Sequence, residues 1–251
     1  MSERNLQDKV VLITGGGGGI GSATALRLAR SGAAVAVVDL FIDAAQSAVD
    51  AIRAEGNVAS AFQADLGGID QVHRVFAEVL NTFGHVDILV NNAVLTDREI
   101  YAKDLKLAEV EVEHWDKIFA VNLRAPMLLS KLSIPGMIER GGGVIINMSS
   151  GASTHGLPDM LTAYGTTKGA LNTLTLYTAA QYGRQNVRCN ALVCGAVLTP
   201  SLKALFPPQF VEQMGRDSLT GRAKLPEDIA AFIHFLASPD AGQITGQLYP
   251  I

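Results

Sequence analysis

The sequence predicts an α/β fold, a doubly wound parallel sheet of about seven strands with helices on both faces. Three observations carry that prediction. Short, wholly apolar runs alternate along the chain with longer segments of helical spacing, the pattern of strands buried on both faces beneath covering helices. The first apolar run ends in a string of glycines that leads straight into a helix. The composition, 48% hydrophobic and 18% charged with 25 glycines, suits a buried sheet rather than a disordered or fibrous chain.

Each element has its own signal. Val10-Val11-Leu12-Ile13 reads as the first buried strand, and Ile20 to Ser31 as the helix after it, closed by Gly32. Ala33 to Val38 is a second strand ending at Asp39, and Ala44 to Glu55 an amphipathic helix stopped by Gly56. Ala59 to Ala64 forms the third strand, Val72 to Phe83 a helix, and Val86 to Val90 the fourth strand, leading into Asn91-Asn92. Leu95 to Val112 is charged and poorly periodic, a loop with room for one helical turn. Trp115 to Met137 keeps helical spacing, Gly142 to Met148 is a fifth strand, Tyr164 to Tyr182 a long helix and Val187 to Val193 a sixth strand. Ser201 to Arg216 reads as an irregular helix interrupted by Pro207-Pro208. Pro226 to Ala237 opens with Pro and then Glu227-Asp228, as helices do, and Gly242 to Ile251 supplies a seventh strand.

No Pro/Ser-rich linker, repeat or low-complexity tract divides the sequence, so residues 1–251 are expected to form one domain. A chain of that length buries roughly 70–75% of the surface its unfolded form exposes and needs no covalent staples. A net charge of −4 offers no basic field, so no nucleic acid and no anionic membrane is expected as partner. Cys189 and Cys194, the only two cysteines, are too few for a disulfide framework. Met1-Ser2-Glu3-Arg4-Asn5 lacks the apolar core of a signal peptide, and no apolar run reaches membrane-spanning length, so the cytoplasm is the expected location.

Thr14-Gly15-Gly16-Gly17-Gly18-Gly19-Ile20-Gly21 lies between the first strand and the first helix. Glycines there permit a tight turn, let the backbone approach a pyrophosphate, and leave a helix N-terminus open to an anion. Asp39 follows Gly21 by 18 residues (39 − 21), near the distance at which a carboxylate accepts the ribose hydroxyls of a dinucleotide. That carboxylate would repel a 2′-phosphate, and neither the glycine loop nor Leu40-Phe41-Ile42 carries a cation to hold one. The reading is therefore a Rossmann-like site for NAD rather than NADP. Downstream, Tyr164 and Lys168 stand four residues apart, on one helix face. Lowering a phenol from ~10 to ~7 takes roughly 4 kcal/mol of preferential phenolate stabilisation, and a neighbouring ammonium acts in that direction.

With these features in place, the sequence resembles the short-chain dehydrogenase/reductase family in its single-domain form, from Lys9 to Tyr249. The resemblance rests on Thr14-Gly15-x-x-x-Gly19-x-Gly21, Asp65-Leu66, Asn91-Asn92-Ala93, Asn122, Asn147-Met148-Ser149-Ser150, Tyr164-x-x-x-Lys168, Val187-Arg188-Cys189-Asn190-Ala191 and Thr245-Gly246-Gln247, all in family order. It implies that Tyr164 is the general acid/base, that Ser150 orients the reacting oxygen, and that Asn122 holds a water linking Lys168 to solvent. Lys168 would bind the nicotinamide ribose and lower the tyrosine's pKa. By the same resemblance Gly15, Gly18, Gly19, Ile20, Gly21, Asp39, Asp65, Leu66, Asn91, Ala93, Val197 and Thr199, with Tyr164 and Lys168, would contact NAD. The implied activity is hydride transfer between NAD and a secondary alcohol or ketone, with a cyclic or apolar small molecule as substrate. The implied assembly is a homotetramer or homodimer packed through the helices Trp115–Met137 and Tyr164–Tyr182.

The sequence also departs from the family. Ser150 precedes Tyr164 by 14 residues (164 − 150), one more than usual, which leaves Ser149 and Ser153 as alternatives. Val94 replaces a glycine and Cys194 a proline. Cys194 is expected to be a buried filler, since no basic partner is evident. The sequence ends at Ile251, where the family continues with Asp-Gly-Gly, an ending expected to loosen the last strand or a subunit contact. These departures keep open an NAD-binding sensor without turnover, and an isomerase or dehydratase on the same scaffold is a third reading. The histidines at 73, 85, 114, 155 and 234 lack ligand spacing, so no metal is expected; only His155, in the serine loop, is placed to touch substrate. Trp115 and Leu128-Leu129 read as packing residues; Leu198 to Leu219 stands where the family places a mobile lid, and its Leu202, Leu205, Phe206 and Phe210, with Met160 and Leu161, are candidates for an apolar pocket wall.

Overall fold

The computed structural model describes residues 5–95 and 98–251; the side chains of Arg98, Leu205, Phe210 and Asp217 lie outside the described residues, so Leu205 and Phe210 cannot be placed in the expected pocket wall. In chain order the first half contains β1 (Val10–Thr14), α1 (Gly19–Arg30), β2 (Ala34–Asp39), α2 (Ile42–Ala54), β3 (Ala59–Gln63), α3 (Ile69–Phe83), β4 (Ile88–Asn91), α4 (Arg98–Lys103) and α5 (Val112–Phe119). The second half contains α6 (Ala125–Glu139), β5 (Gly143–Ser150), α7 (Thr162–Tyr182), β6 (Val187–Cys194), α8 (Pro200–Leu205), α9 (Pro208–Asp217), α10 (Pro226–Ala237) and β7 (Leu248–Pro250).

The seven strands form one sheet in the order β3-β2-β1-β4-β5-β6-β7, with every pairing parallel. Period-two alternation sends Val11 and Ile13 of β1, with Val35 and Val37 of β2, to a core shared with Leu28, Ile52, Ile233 and Leu236. Leu12, Ala36 and Val38 face the other way, onto Val72, Val75, Val79, Leu129 and Met137. The winding order reverses between β1 and β4, and the crevice outside the strand ends at that point is where an open α/β sheet takes its ligand. The opposite end is fastened by buried Asp87, whose Oδ2 accepts the Val10 N–H at 2.8 Å, while Lys9, His85 and Arg140 approach the same carboxylate at 3.6, 3.0 and 3.4 Å.

Four expectations need correction. The Trp115–Met137 helix is broken by a π-helical turn at Ala120–Arg124, and π segments favour functional sites. The irregular helix is two helices, because Pro208 cannot donate into a continuing ladder and instead starts α9. The Leu95–Val112 stretch contains a full short helix, α4. The last strand shrinks to three residues, since the chain before it is held by side chains: Asn190 Nδ2 donates to the Ile244 carbonyl at 2.9 Å, and Asn190 Oδ1 accepts the Gln247 N–H at 3.1 Å. Arg188, buried in the same motif, donates to the Leu236 carbonyl at 2.8 Å and so caps α10. Among the described residues no helix is long and apolar enough to cross a membrane.

Candidate active site

The glycine loop is shaped by close approach. Gly15 has φ +61°, and a Cβ there would lie 2.9 Å from Ala93 Cα. A Cβ on Gly21 would run into the Gly15 carbonyl oxygen, so the loop folds directly onto the start of α1. Gly18 sits at the N-cap with no side-chain cap, which leaves the first N–H groups of α1, at Gly19, Ile20 and Gly21, to an incoming anion. Two residues given no role from sequence fasten this loop to the end of β4. Thr14 Oγ1 accepts the N–H groups of Asn92 and Ala93 at 3.1 and 3.0 Å, and Asn92 Nδ2 donates to the Thr14 and Gly15 carbonyls at 3.0 Å each.

Asp39 ends β2 beside that loop. Its Oδ2 accepts the Gly17 N–H at 2.9 Å and its Oδ1 the Phe41 N–H at 3.1 Å, and each oxygen retains capacity for a further donor. The residues that follow, Leu40, Phe41 and Ile42, are exposed and apolar. Asp65 is exposed, with Oδ1 accepting the Gly67 N–H at 2.9 Å, while Leu66 is buried. Asn91 is turned inward: its Nδ2 donates to Asn147 Oδ1 at 2.8 Å, and Asn147 Nδ2 donates to Thr175 Oγ1 at 2.8 Å, a buried amide chain joining β4, β5 and α7. Val197 is buried and bridges to Lys224, and the Thr199 hydroxyl accepts the Leu202 N–H at 3.1 Å as the N-cap of α8. A Cβ on Gly19 would sit 3.0 Å from Thr199 Cγ2, so this loop closes over the glycines.

Across the crevice, the first turns of α7 carry Tyr164 and Lys168. Lys168 is 3% exposed; its Nζ donates to the Met148 carbonyl at 2.6 Å and lies 5.6 Å from the centre of the Tyr164 ring. Three serines are candidates to face the phenol: strand alternation separates Ser149 from Ser150, and Ser153 lies beyond the strand in the 3₁₀ turn at Gly151–Ser153. Ser150 lies beside the Tyr164 phenol and favours its ionised form, and its Oγ accepts the Ala152 N–H at 3.3 Å. Ser149 points the other way, its Oγ donating to the Lys168 carbonyl at 3.3 Å, and Ser153 Oγ accepts Asn172 Nδ2 at 2.9 Å. Asn122, fully buried in the π turn, accepts the Leu95 N–H at 3.1 Å and reaches Thr167 Oγ1 at 3.5 Å. It meets α7 one residue before the lysine.

The electrostatics differ from the expectation that Lys168 lowers the phenol. Burial pushes the Tyr164 pKa up, opposed by Ser150, because the pocket desolvates the phenolate more than any neighbour favours it. Burial likewise lowers Lys168 to about 8. Cys194 does have basic neighbours, contrary to the sequence reading: Lys168 and Lys224 both favour its thiolate, yet burial still drives the thiol up to about 11. It remains an inert filler. Tyr101 of α4 had no assigned role, and its ring centre lies 6.4 Å from that of Tyr164. His155 is exposed and shares a 2.9 Å contact with Thr154 Oγ1. Trp115 stacks on Phe119 at 4.5 Å, and Leu128 and Leu129 are buried, all as packing residues. Met160, before α7, and Phe206, just after α8, expose apolar surface. Among the described residues no group of three or more His, Cys, Asp or Glu could hold a metal.

Comparison with known proteins follows the same lines. A family model described as enoyl-(acyl carrier protein) reductase matches residues 16–251. A probable short-chain type dehydrogenase/reductase of Bradyrhizobium diazoefficiens is 40% identical over 96% of this chain and 85% of that protein. D-xylose 1-dehydrogenase of Caulobacter vibrioides is 36% identical, covering 98% of this chain and 94% of its own. Among solved structures, a 7α-hydroxysteroid dehydrogenase complexed with NADH and 7-oxo glycochenodeoxycholic acid superposes with a TM-score of 0.91 at 32% identity, over 100% of this chain and 95% of that one.

Proposed function

The chain belongs to the short-chain dehydrogenase/reductase family of oxidoreductases, and from that premise we propose that it is an NAD-dependent dehydrogenase interconverting a secondary alcohol and a ketone. The observation that carries the reading is Lys168, buried one turn along α7 from Tyr164 with its Nζ 5.6 Å from the phenol ring centre, and Ser150 beside that phenol. Ser150 holds the reacting oxygen of the substrate against the phenol, and Tyr164 takes the hydroxyl proton in oxidation or returns it in reduction. Lys168 supplies the charge beneath the ring, and Asn122 fixes the turn of α7 that carries it. NAD, when bound, supplies the hydride acceptor or donor.

The cradle fits that cofactor on its own terms. Side chains are excluded at Gly15 and Gly21, α1 presents an uncapped N-terminus, and Asp39 offers carboxylate oxygens with no cation after it to hold a 2′-phosphate. Asp65, Leu66, Ala93, Val197 and Thr199 border the same crevice in our reading. The apolar surface at Met160 and Phe206 favours an apolar or cyclic substrate, the class to which the steroid bound by the structural relative belongs. The same reading makes the protein a cytoplasmic homo-oligomer.

The test follows NAD reduction with cyclohexanol and 1-phenylethanol, NADH oxidation with the matching ketones, and NADH oxidation with an enoyl thioester, for the protein and its Tyr164→Phe variant. The alcohol–ketone pair should turn over, with Tyr164→Phe slower by roughly 10²–10⁴-fold. Tight NADH binding without turnover of any alcohol or ketone would sink the dehydrogenase reading in favour of a sensor. Turnover confined to the enoyl thioester would move the chemistry to a carbon–carbon double bond.

A further inference from the structure

We propose that Asp104 is a positioning residue for Tyr164, holding the catalytic turn of α7 from a loop some 60 residues away. Helix α7 has no side-chain cap of its own: Leu161 occupies the N-cap position with φ +65° and contributes no capping group. Asp104 supplies the missing cap. Its Oδ1 accepts the Ala163 N–H at 2.8 Å and its Oδ2 accepts the N–H of Tyr164 itself at 2.9 Å. The Asp104 carbonyl accepts the Leu161 N–H at 2.7 Å, and the next carbonyl, of Leu105, accepts the Thr162 hydroxyl at 2.7 Å. Four consecutive residues, Leu161 to Tyr164, are thereby tied to two.

The carboxylate is fully buried, and among the described residues no cation pairs with it. Burying an unpaired anion is unfavourable unless it is well hydrogen-bonded, and two amide donors at a helix N-terminus provide that. The end of the helix that carries the general acid/base supplies the donors that offset this buried carboxylate. Three residues earlier on the same segment, Tyr101 sets its ring 6.4 Å from that of Tyr164. The 101–105 segment thus fixes both the backbone of Tyr164 and one flank of its ring. A phenol that must meet Ser150 and substrate together tolerates little displacement, since misplacement by about 1 Å costs on the order of 10²-fold.

The inference rests on the reading of Tyr164 as the general acid/base, so Tyr164→Phe is assayed in parallel. Asp104→Asn keeps the shape but offers one acceptor oxygen, leaving its NH₂ opposed to the second N–H. Expected for Asp104→Asn is a kcat lowered about 10- to 100-fold, with the Kd for NADH within about two-fold. Amides of residues 162–168 should exchange at least about ten-fold faster by mass spectrometry, with the sheet amides unchanged. Thr162→Val, which removes only the bond to the Leu105 carbonyl at the surface, should show the same local pattern more weakly; it decides the matter should Asp104→Asn not fold. The proposal is overturned by unchanged exchange at 162–168, by exchange raised uniformly across the chain, or by local loosening with kcat intact. Wild-type turnover by Tyr164→Phe would instead bring down the reading of Tyr164, and the exchange measurement then decides the anchoring alone.

Discussion

Lys168 shows at the level of one residue how this site trades stability for chemistry. An ammonium that is 3% exposed, with one carbonyl 2.6 Å away, is held at a cost, and its pKa falls to about 8. In the unfolded chain the same group titrates near 10.5. Between those values the unfolded chain binds the proton that the folded chain has shed, so this residue's contribution to stability rises as pH climbs from about 8 to about 10.5. Below about 8 the burden is fully present. Lys168→Met removes it, worth no more than about 3 kcal/mol at pH 7, and gives back about 1 kcal/mol for the Met148 carbonyl that loses its donor. The variant should therefore melt roughly 4–8 °C higher at pH 7, a gain that shrinks towards pH 10, while its alcohol oxidation collapses. Calorimetry across pH 7–10 reads both sign and window; a lower Tm at pH 7 would show that the ammonium is stabilising after all. Tyr164 and Lys168 were legible in sequence because helical spacing puts them on one face and the motifs around them stand in family order. Ser150 was preferred there over Ser149, but what separates them was not legible, since it rests on Ser149 being spent on the Lys168 carbonyl while Ser150 lies beside the phenol.

Among the elements, strands were read most directly, because a strand buried on both faces has to be a short apolar run whatever surrounds it. The π turn at Ala120–Arg124 left no mark on spacing, since one extra residue in a helix shifts the periodicity by less than a short segment can reveal. Helix α4 was hidden by charge: it is short, and its place is set by Tyr101 and Asp104 reaching across to α7. Asp87 carries a similar long-range role at the other end of the sheet. It accepts the first N–H of β1, its own N–H donates to the Val10 carbonyl at 2.9 Å, and its carbonyl accepts the Val144 N–H of β5 at 2.9 Å. Asp87→Ala leaves the buried Val10 N–H unpaired, a loss of about 1–3 kcal/mol, or roughly 2–10 °C in Tm. Because Asp87 precedes β4 and the crevice follows it, the Kd for NADH should not move. Thermal melts beside fluorescence titration with NADH check this; weakened NADH binding would mean the two ends of the sheet are coupled.

For the molecule as a whole, the order of motifs carried the cofactor cradle and the reacting pair across most of the chain, but the contacts that lock them were out of reach. Thr14 to Asn92 and Asp104 to Tyr164 join residues far apart in sequence, and a single sequence gives no measure of such distances. One surface feature also asks for an explanation at this scale. A groove of about 600 Å³ is lined by Asp116, Phe119, Leu123, Arg124, Met127 and Leu174, from α5, the π turn that carries Asn122, α6 and α7. Leu176 and Tyr177 of α7 are further exposed apolar side chains on these helices. Packed by a second copy, these helices would bury apolar side chains that are unfavourable in water at about 25 cal/mol per Å². They would also brace α7, the helix that carries Tyr164 and Lys168. Light scattering should therefore give a dimer or tetramer mass at micromolar concentration. Met127→Glu, which sets a carboxylate into the apolar groove, should shift the mass toward the monomer, with turnover falling as the subunits separate. A monomeric mass for the unaltered chain, or an unchanged oligomer in the variant, would exclude this face as the contact.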